Sequence, residues 1–237
     1  MNVFTEETYF PHDQAQGPGW GREGKLRPSS RQDVAMPFPA FFADAPAITV
    51  QDSLAAFLGA PSDGMITYRY EDAVRLAGHS CPTVAGAWLM TIKALRALWP
   101  DSMPERGAAQ VLMDDGQEDG VTGVMAAVAG LVTGAAGPGG FKGIAGRFGR
   151  NDLLRFDAGF GAELALRRSD SGAMAVAHYH PELVPADPEM RERLQRVLAG
   201  SRDAEDHVRF AELWQDRVRR ILVDFADLPG LVRIEMR

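Results

Sequence analysis

Two short patterns in this chain carry residue types that hold metal ions or attack substrates. His79-Ser80-Cys81 places an imidazole two residues from the only cysteine, and His178-Tyr179-His180 sets two more imidazoles at the same spacing. A thiolate together with imidazoles is a donor set that zinc accepts in tetrahedral geometry. Gly78 tolerates the left-handed conformation that ends a helix, and Pro82 suits the first position of the next one. The spacing therefore predicts a junction of two helices, with His79 and Cys81 at the N-terminus of the second, where the helix dipole favours a thiolate. Residues two apart on a strand share a face, so His178 and His180 can converge if Met174 to Tyr179 is extended. His79 and Cys81 are the first expected ligands, His178 and His180 the next. The plainer alternatives make Cys81 a small buried side chain, His79 a cap and the paired histidines surface groups.

The elements that must position these groups follow from periodicity. From Pro82, the residues Val84, Trp88, Leu89, Ile92, Leu95 and Leu98 form one helical stripe, and small Ala85 and Gly86 let another backbone come close. Asp52 to Gly59 reads as a capped helix closing on glycine, after a short strand at Ile48. Gln110 to Met113 is a buried strand that runs into an acidic turn, Asp114 to Gly120, before a helix of small residues from Val121 to about Val132. Extended segments follow at Asp152 to Phe156, Ala162 to Arg167 and Met174 to Tyr179, the last two joined by a turn at Ser169-Asp-Ser-Gly172. Asp187-Pro188-Glu189 opens a helix. A second begins near Asp203 with the stripe Val208, Leu213, Trp214, Val218, Ile221, Leu222 and Phe225, and its Arg217, Arg219 and Arg220 read as a solvated outer face.

Gly78-His79-Ser80-Cys81-Pro82, followed by a helix with small residues at Ala85, Gly86 and Ala87, resembles the GHxCPG signature of the FmdE-like family of formylmethanofuran dehydrogenase components. The resemblance spans about Tyr68 to Pro181 and departs at Thr83, where the family has glycine. It implies an α+β domain, a homodimer, a metal near the motif, and association with a molybdenum or tungsten oxidoreductase. The family's further cysteine is missing. Counting from the strand end puts Glu118 near its place, and counting back from Thr133-Gly134 puts Val124 there. Glu118, with Asp114 behind it, is thus a candidate ligand, or a general base beside a metal-bound water in a hydrolytic or lyase-like site. No cysteine-rich module follows at the C-terminus.

The expected organisation is an irregular arm over 1–46, an FmdE-like α+β domain of mixed sheet and helices over 47–185, and a helical pair over 186–237. Met36, Phe38, Phe41 and Phe42 make the arm too apolar for a free linker, so it lies on the body or on a partner subunit. With 46% hydrophobic residues in 237, the chain can bury a full core. A net charge of −7 argues against a nucleic-acid binder. A lone cysteine forms no internal disulfide, and no apolar run reaches membrane-spanning length, so the sequence predicts a soluble cytoplasmic protein. Two other classes stay open. In one, Cys81 is a nucleophile with His178 or His180 as its base. In the other, a dimeric binding module uses the glycine-rich segment 134–149, with Lys142, Arg147 and Arg150, to hold an anion.

Overall fold

The computed structural model describes residues 38–237. Local sequence sets the first elements. Strand β1 (Ile48–Gln51) pairs antiparallel with β2 (Met65–Tyr68). Between them Asp52 caps helix α1 (Ser53–Leu58), which stops at Gly59 with φ of 74°. Helix α2 (Tyr70–Ala77) ends at Gly78 in the left-handed conformation, φ 75°. Helix α3 (Pro82–Leu98) starts with proline in its first turn and Cys81 at its N-cap. The expected helix junction at 77–82 is thus present.

Helix α3 is the centre of the molecule. Trp88, Leu89, Met90, Ile92 and Leu95 are all at most 2% exposed, and apolar residues cover most of the helix, with Lys93 and the exposed Arg96 on its remaining side. Burial of each large side chain contributes about 1.5–3 kcal/mol before entropy is counted. On one side α3 packs against α4 (Thr122–Thr133). On another it packs against a five-stranded sheet in the order β4-β3-β5-β6-β7. The strands are β3 (Ala109–Met113), β4 (Leu154–Arg155), β5 (Leu164–Arg168), β6 (Met174–Tyr179) and β7 (Val232–Met236). Only the β3–β4 pair is parallel, so the sheet is mixed and the class is α+β.

Helices α5 (Pro188–Leu198) and α6 (Ala204–Arg219) pack together, and α6 continues as a π-helical turn, Arg220–Asp224. The chain then returns to the sheet as its edge strand β7, so Phe38–Arg237 forms one compact unit. No helix among the described residues is long and apolar enough to cross a membrane.

Several expectations need correction. The segment Asp152 to Phe156 contributes only two strand residues. Val208 and Phe225 are exposed, at 58% and 38%, so the buried stripe of α6 is narrower than its sequence suggests. Arg217 and Arg220 are not merely a solvated face. Arg217 donates to the carbonyls of Val184 (2.9 Å) and Pro181 (3.0 Å), and Arg220 to that of Pro185 (2.9 Å), tying the segment after β6 to α6. Of the arm, Met36 lies outside the described residues. Phe42 is buried, stacks with Phe38 and meets Tyr70 edge-on at 5.0 Å, so this end of the arm packs on the body.

Candidate functional site

At the junction, Nδ1–H of exposed His79 donates to the Ala77 carbonyl at 2.9 Å. That bond fixes the tautomer and leaves Nε2 as the lone-pair nitrogen. Cys81 is 9% exposed, and its sulfur accepts the Val84 N–H at 3.4 Å, which is the helix N-cap bond. The intervening Ser80 is held from two sides. Its hydroxyl meets the Tyr70 hydroxyl at 3.0 Å, and its carbonyl accepts from Trp214 Nε1 (3.0 Å) and Gln215 Nε2 (3.2 Å) on α6. A short, otherwise irregular peptide is thereby anchored to a helix more than a hundred residues away in the chain.

Strand β6 delivers its central residue of the His-Tyr-His triplet to this place. Tyr179 donates to the Pro82 carbonyl at 2.9 Å, and its ring lies over Gly86, where an added Cβ would come within 2.2 Å of it. Burial pushes the phenols of Tyr70 and Tyr179 well above their usual range, and the charge of Cys81 adds to the rise in both, so each stays a neutral hydroxyl beside the sulfur. A methyl group at Gly86 must push Tyr179 aside and break its bond to Pro82. Gly86→Ala is therefore expected to destabilise the protein by about 1–3 kcal/mol despite alanine's better helix propensity, as read from urea denaturation midpoints.

Because side chains alternate along a strand, His178 leaves the face that Tyr179 takes, while His180 lies past the end of β6, at the cap of the 3-10 turn Pro181–Leu183. His178 Nε2 is buried with no hydrogen bond among the described residues and lies 3.7 Å from Glu235 on β7. His180 is half-buried and its Nδ1 sits 3.0 Å from Glu182. In the acidic turn Glu118 is exposed, while Asp114 accepts backbone N–H groups from Phe160 and Gly161. Val124, the other candidate for the missing cysteine's place, packs against the core. Among the described residues, no group of three or more His, Cys, Asp or Glu side chains gathers where a metal could be held. The junction itself carries one imidazole and one sulfur, two residues apart in the chain. The sequence reading gave Tyr70, Tyr179 and Trp214 no part in this junction. Their only signal was Gly86, a small residue whose partner could not be named.

The glycine-rich segment is organised around a different residue. Arg150 is 8% exposed and its Nη2 donates to Asp52 at 2.9 Å, while Arg106 Nη1 reaches the other Asp52 oxygen at 2.9 Å. Burial alone would raise the Asp52 pKa, but the Ala55 N–H, the Arg106 hydrogen bond and the charges of both arginines hold the carboxyl below its ordinary value. In Arg150 the order is reversed, since burial lowers its pKa by more than Asp52 restores. Phe148 is held at φ 65°, a conformation that bulky residues rarely adopt, with the Arg147 guanidinium 4.8 Å above its ring. Lys142 is exposed.

No family model and no curated protein matches this chain. The functional reading therefore rests on the geometry just described and on the resemblance carried by residues 78–87.

Proposed function

We propose that this chain is a metal-binding protein of the FmdE-like type, in which His79 and Cys81 hold a transition metal, zinc first. The observation that carries the reading is the bond from His79 Nδ1–H to the Ala77 carbonyl. Metal-ligating imidazoles are oriented in this way, with one nitrogen tied to a backbone acceptor and the other turned to the ion. Beside it stands a sulfur at a helix N-cap, and a thiolate–imidazole pair is chemistry that zinc accepts. The remaining coordination positions belong to donors outside this set, supplied by solvent, a bound substrate or a second copy in a homodimer. His178, His180 and Glu118 have no ligand role in this reading, because alternation turns His178 away, His180 is engaged with Glu182 past the strand end, and the acidic turn leaves Glu118 in solvent. A lone thiol ligand needs a reducing compartment such as the cytoplasm.

Elemental analysis of the purified full chain tests the proposal. Near-stoichiometric zinc is expected in the native protein, and His79→Ala and Cys81→Ser should each lose most of it, since removal of one of two protein ligands sharply weakens binding. Uptake should also weaken as pH falls, because both donors bind the ion only when deprotonated. Metal-free native protein after growth with added zinc, or variants that keep their metal, would overturn the reading.

A further inference from the structure

A cleft lies at the end of the sheet opposite the junction. Strand β6 runs in the same direction as β3, being antiparallel to β5, which is itself antiparallel to β3. The junction sits beside the last residue of β6, whereas Gly107 and Ala108 immediately precede β3. Around that start opens a cleft of about 480 Å³, lined by Ser53, Glu105, Arg106, Arg147, Phe148 and Arg150 among others. This volume lies within the roughly 300–1,000 Å³ of small-molecule sites.

Its charge is unbalanced. Asp52 is a single carboxylate shared by two guanidinium groups, Arg106 and Arg150, and Arg147 adds a third cation at the wall. Glu105 is the opposing carboxylate there, and it already accepts the Ser53 hydroxyl. Among the described residues one positive charge is left over in this cleft, in a chain whose net charge is −7. Arg150 spends Nη2 on Asp52, its Nε is buried with no acceptor, and its Nη1, beside Gly107, donates to no acceptor among the described residues. Arg106 Nε is buried without an acceptor as well. Arg150, nine-tenths buried and with Nη1 free among the described residues, lines the cleft next to the exposed Arg147, and guanidiniums so placed suit a planar or tetrahedral oxyanion.

We propose that this cleft binds a small molecule through a phosphate or carboxylate group, held by Arg150 and Arg147, with the Phe148 ring as an apolar wall. The site is independent of the metal junction. Isothermal titration calorimetry of the full chain tests it, with inorganic phosphate and succinate titrated separately at constant ionic strength set by chloride. Saturable binding of either anion is expected, and the one that binds names the ligand class. Arg147 is exposed and, among the described residues, its guanidinium stacks on Phe148 and forms no ion pair, so Arg147→Ala should stay close to the native melting temperature while losing affinity at least about tenfold. Cys81→Ser should bind the anion as the native chain does. The proposal fails if neither anion titrates, if Arg147→Ala binds as tightly as the native protein, or if Cys81→Ser abolishes binding. The last result would place the anion at the metal junction instead.

Discussion

Asp52→Ala is expected to lower the unfolding free energy by about 3–5 kcal/mol, the cost of leaving a buried ion pair without one partner. The side chain is 3% exposed and its two oxygens serve four donors. Oδ1 accepts from the N–H groups of Leu54 (2.9 Å) and Ala55 (3.0 Å) and from Arg150 (2.9 Å), and Oδ2 accepts from Arg106 (2.9 Å). Alanine strands two guanidiniums and uncaps α1, whose loss of a cap alone costs roughly 1 kcal/mol. Asp52→Asn keeps an acceptor for the cap and should be milder. The two substitutions also differ from the native protein in acid. Because the folded-state pKa of Asp52 is depressed, its contribution is fully present above the ordinary carboxylate range near ~4 and is lost as pH falls through the lower folded value. Urea unfolding at neutral pH and near ~3 should show the native protein losing more stability in acid than Asp52→Asn does. An equal loss in both would mean that other carboxylates set the acid limit.

How much of this was legible in the residues depended on how local each cause was. The cap at Asp52, the stop at Gly59 and the Gly78–Pro82 junction were readable because each is decided within one turn of helix. The stripe on α3 was readable for the same reason. What could not be read was pairing between distant segments. Asp52 and Arg150 are 98 residues apart, and nothing in either neighbourhood names the other. The glycine-rich segment suggested an anion loop with Lys142, Arg147 and Arg150; both arginines line the cleft and Lys142 does not, and the pairing of Arg150 with Asp52 had no local signal. The His-Tyr-His triplet misled by its composition. A strand offers either its odd or its even residues to a given neighbour, and here the tyrosine faces α3. The close approach that selects it depends on Gly86, one small residue in a helix of many.

Gly107→Ala is expected to cost nearly as much as Asp52→Ala, and through the same ion pair. Gly107 has φ of 87°, so any side chain there carries backbone strain of roughly 1–2 kcal/mol. An added Cβ would also fall 1.0 Å from Arg150 Nη1 and 2.1 Å from its Cζ, so the guanidinium must leave its place. A flexible side chain at the surface would simply swing away. Arg150 cannot do so cheaply, because it is buried against Asp52, and its departure leaves that carboxylate with Arg106 alone. The total is expected at about 3–5 kcal/mol. The double variant Asp52→Ala/Gly107→Ala separates the two contributions. Once Asp52 is gone, Arg150 has no ion pair to lose, and the second substitution should add only its backbone strain. The summed single effects should then exceed the double by about 0.5–3 kcal/mol, the usual range for residues that share a partner. Effects that add to within about 0.5 kcal/mol would show that Gly107 and Asp52 act on the fold separately, and that Arg150 is held by something other than the carboxylate it touches.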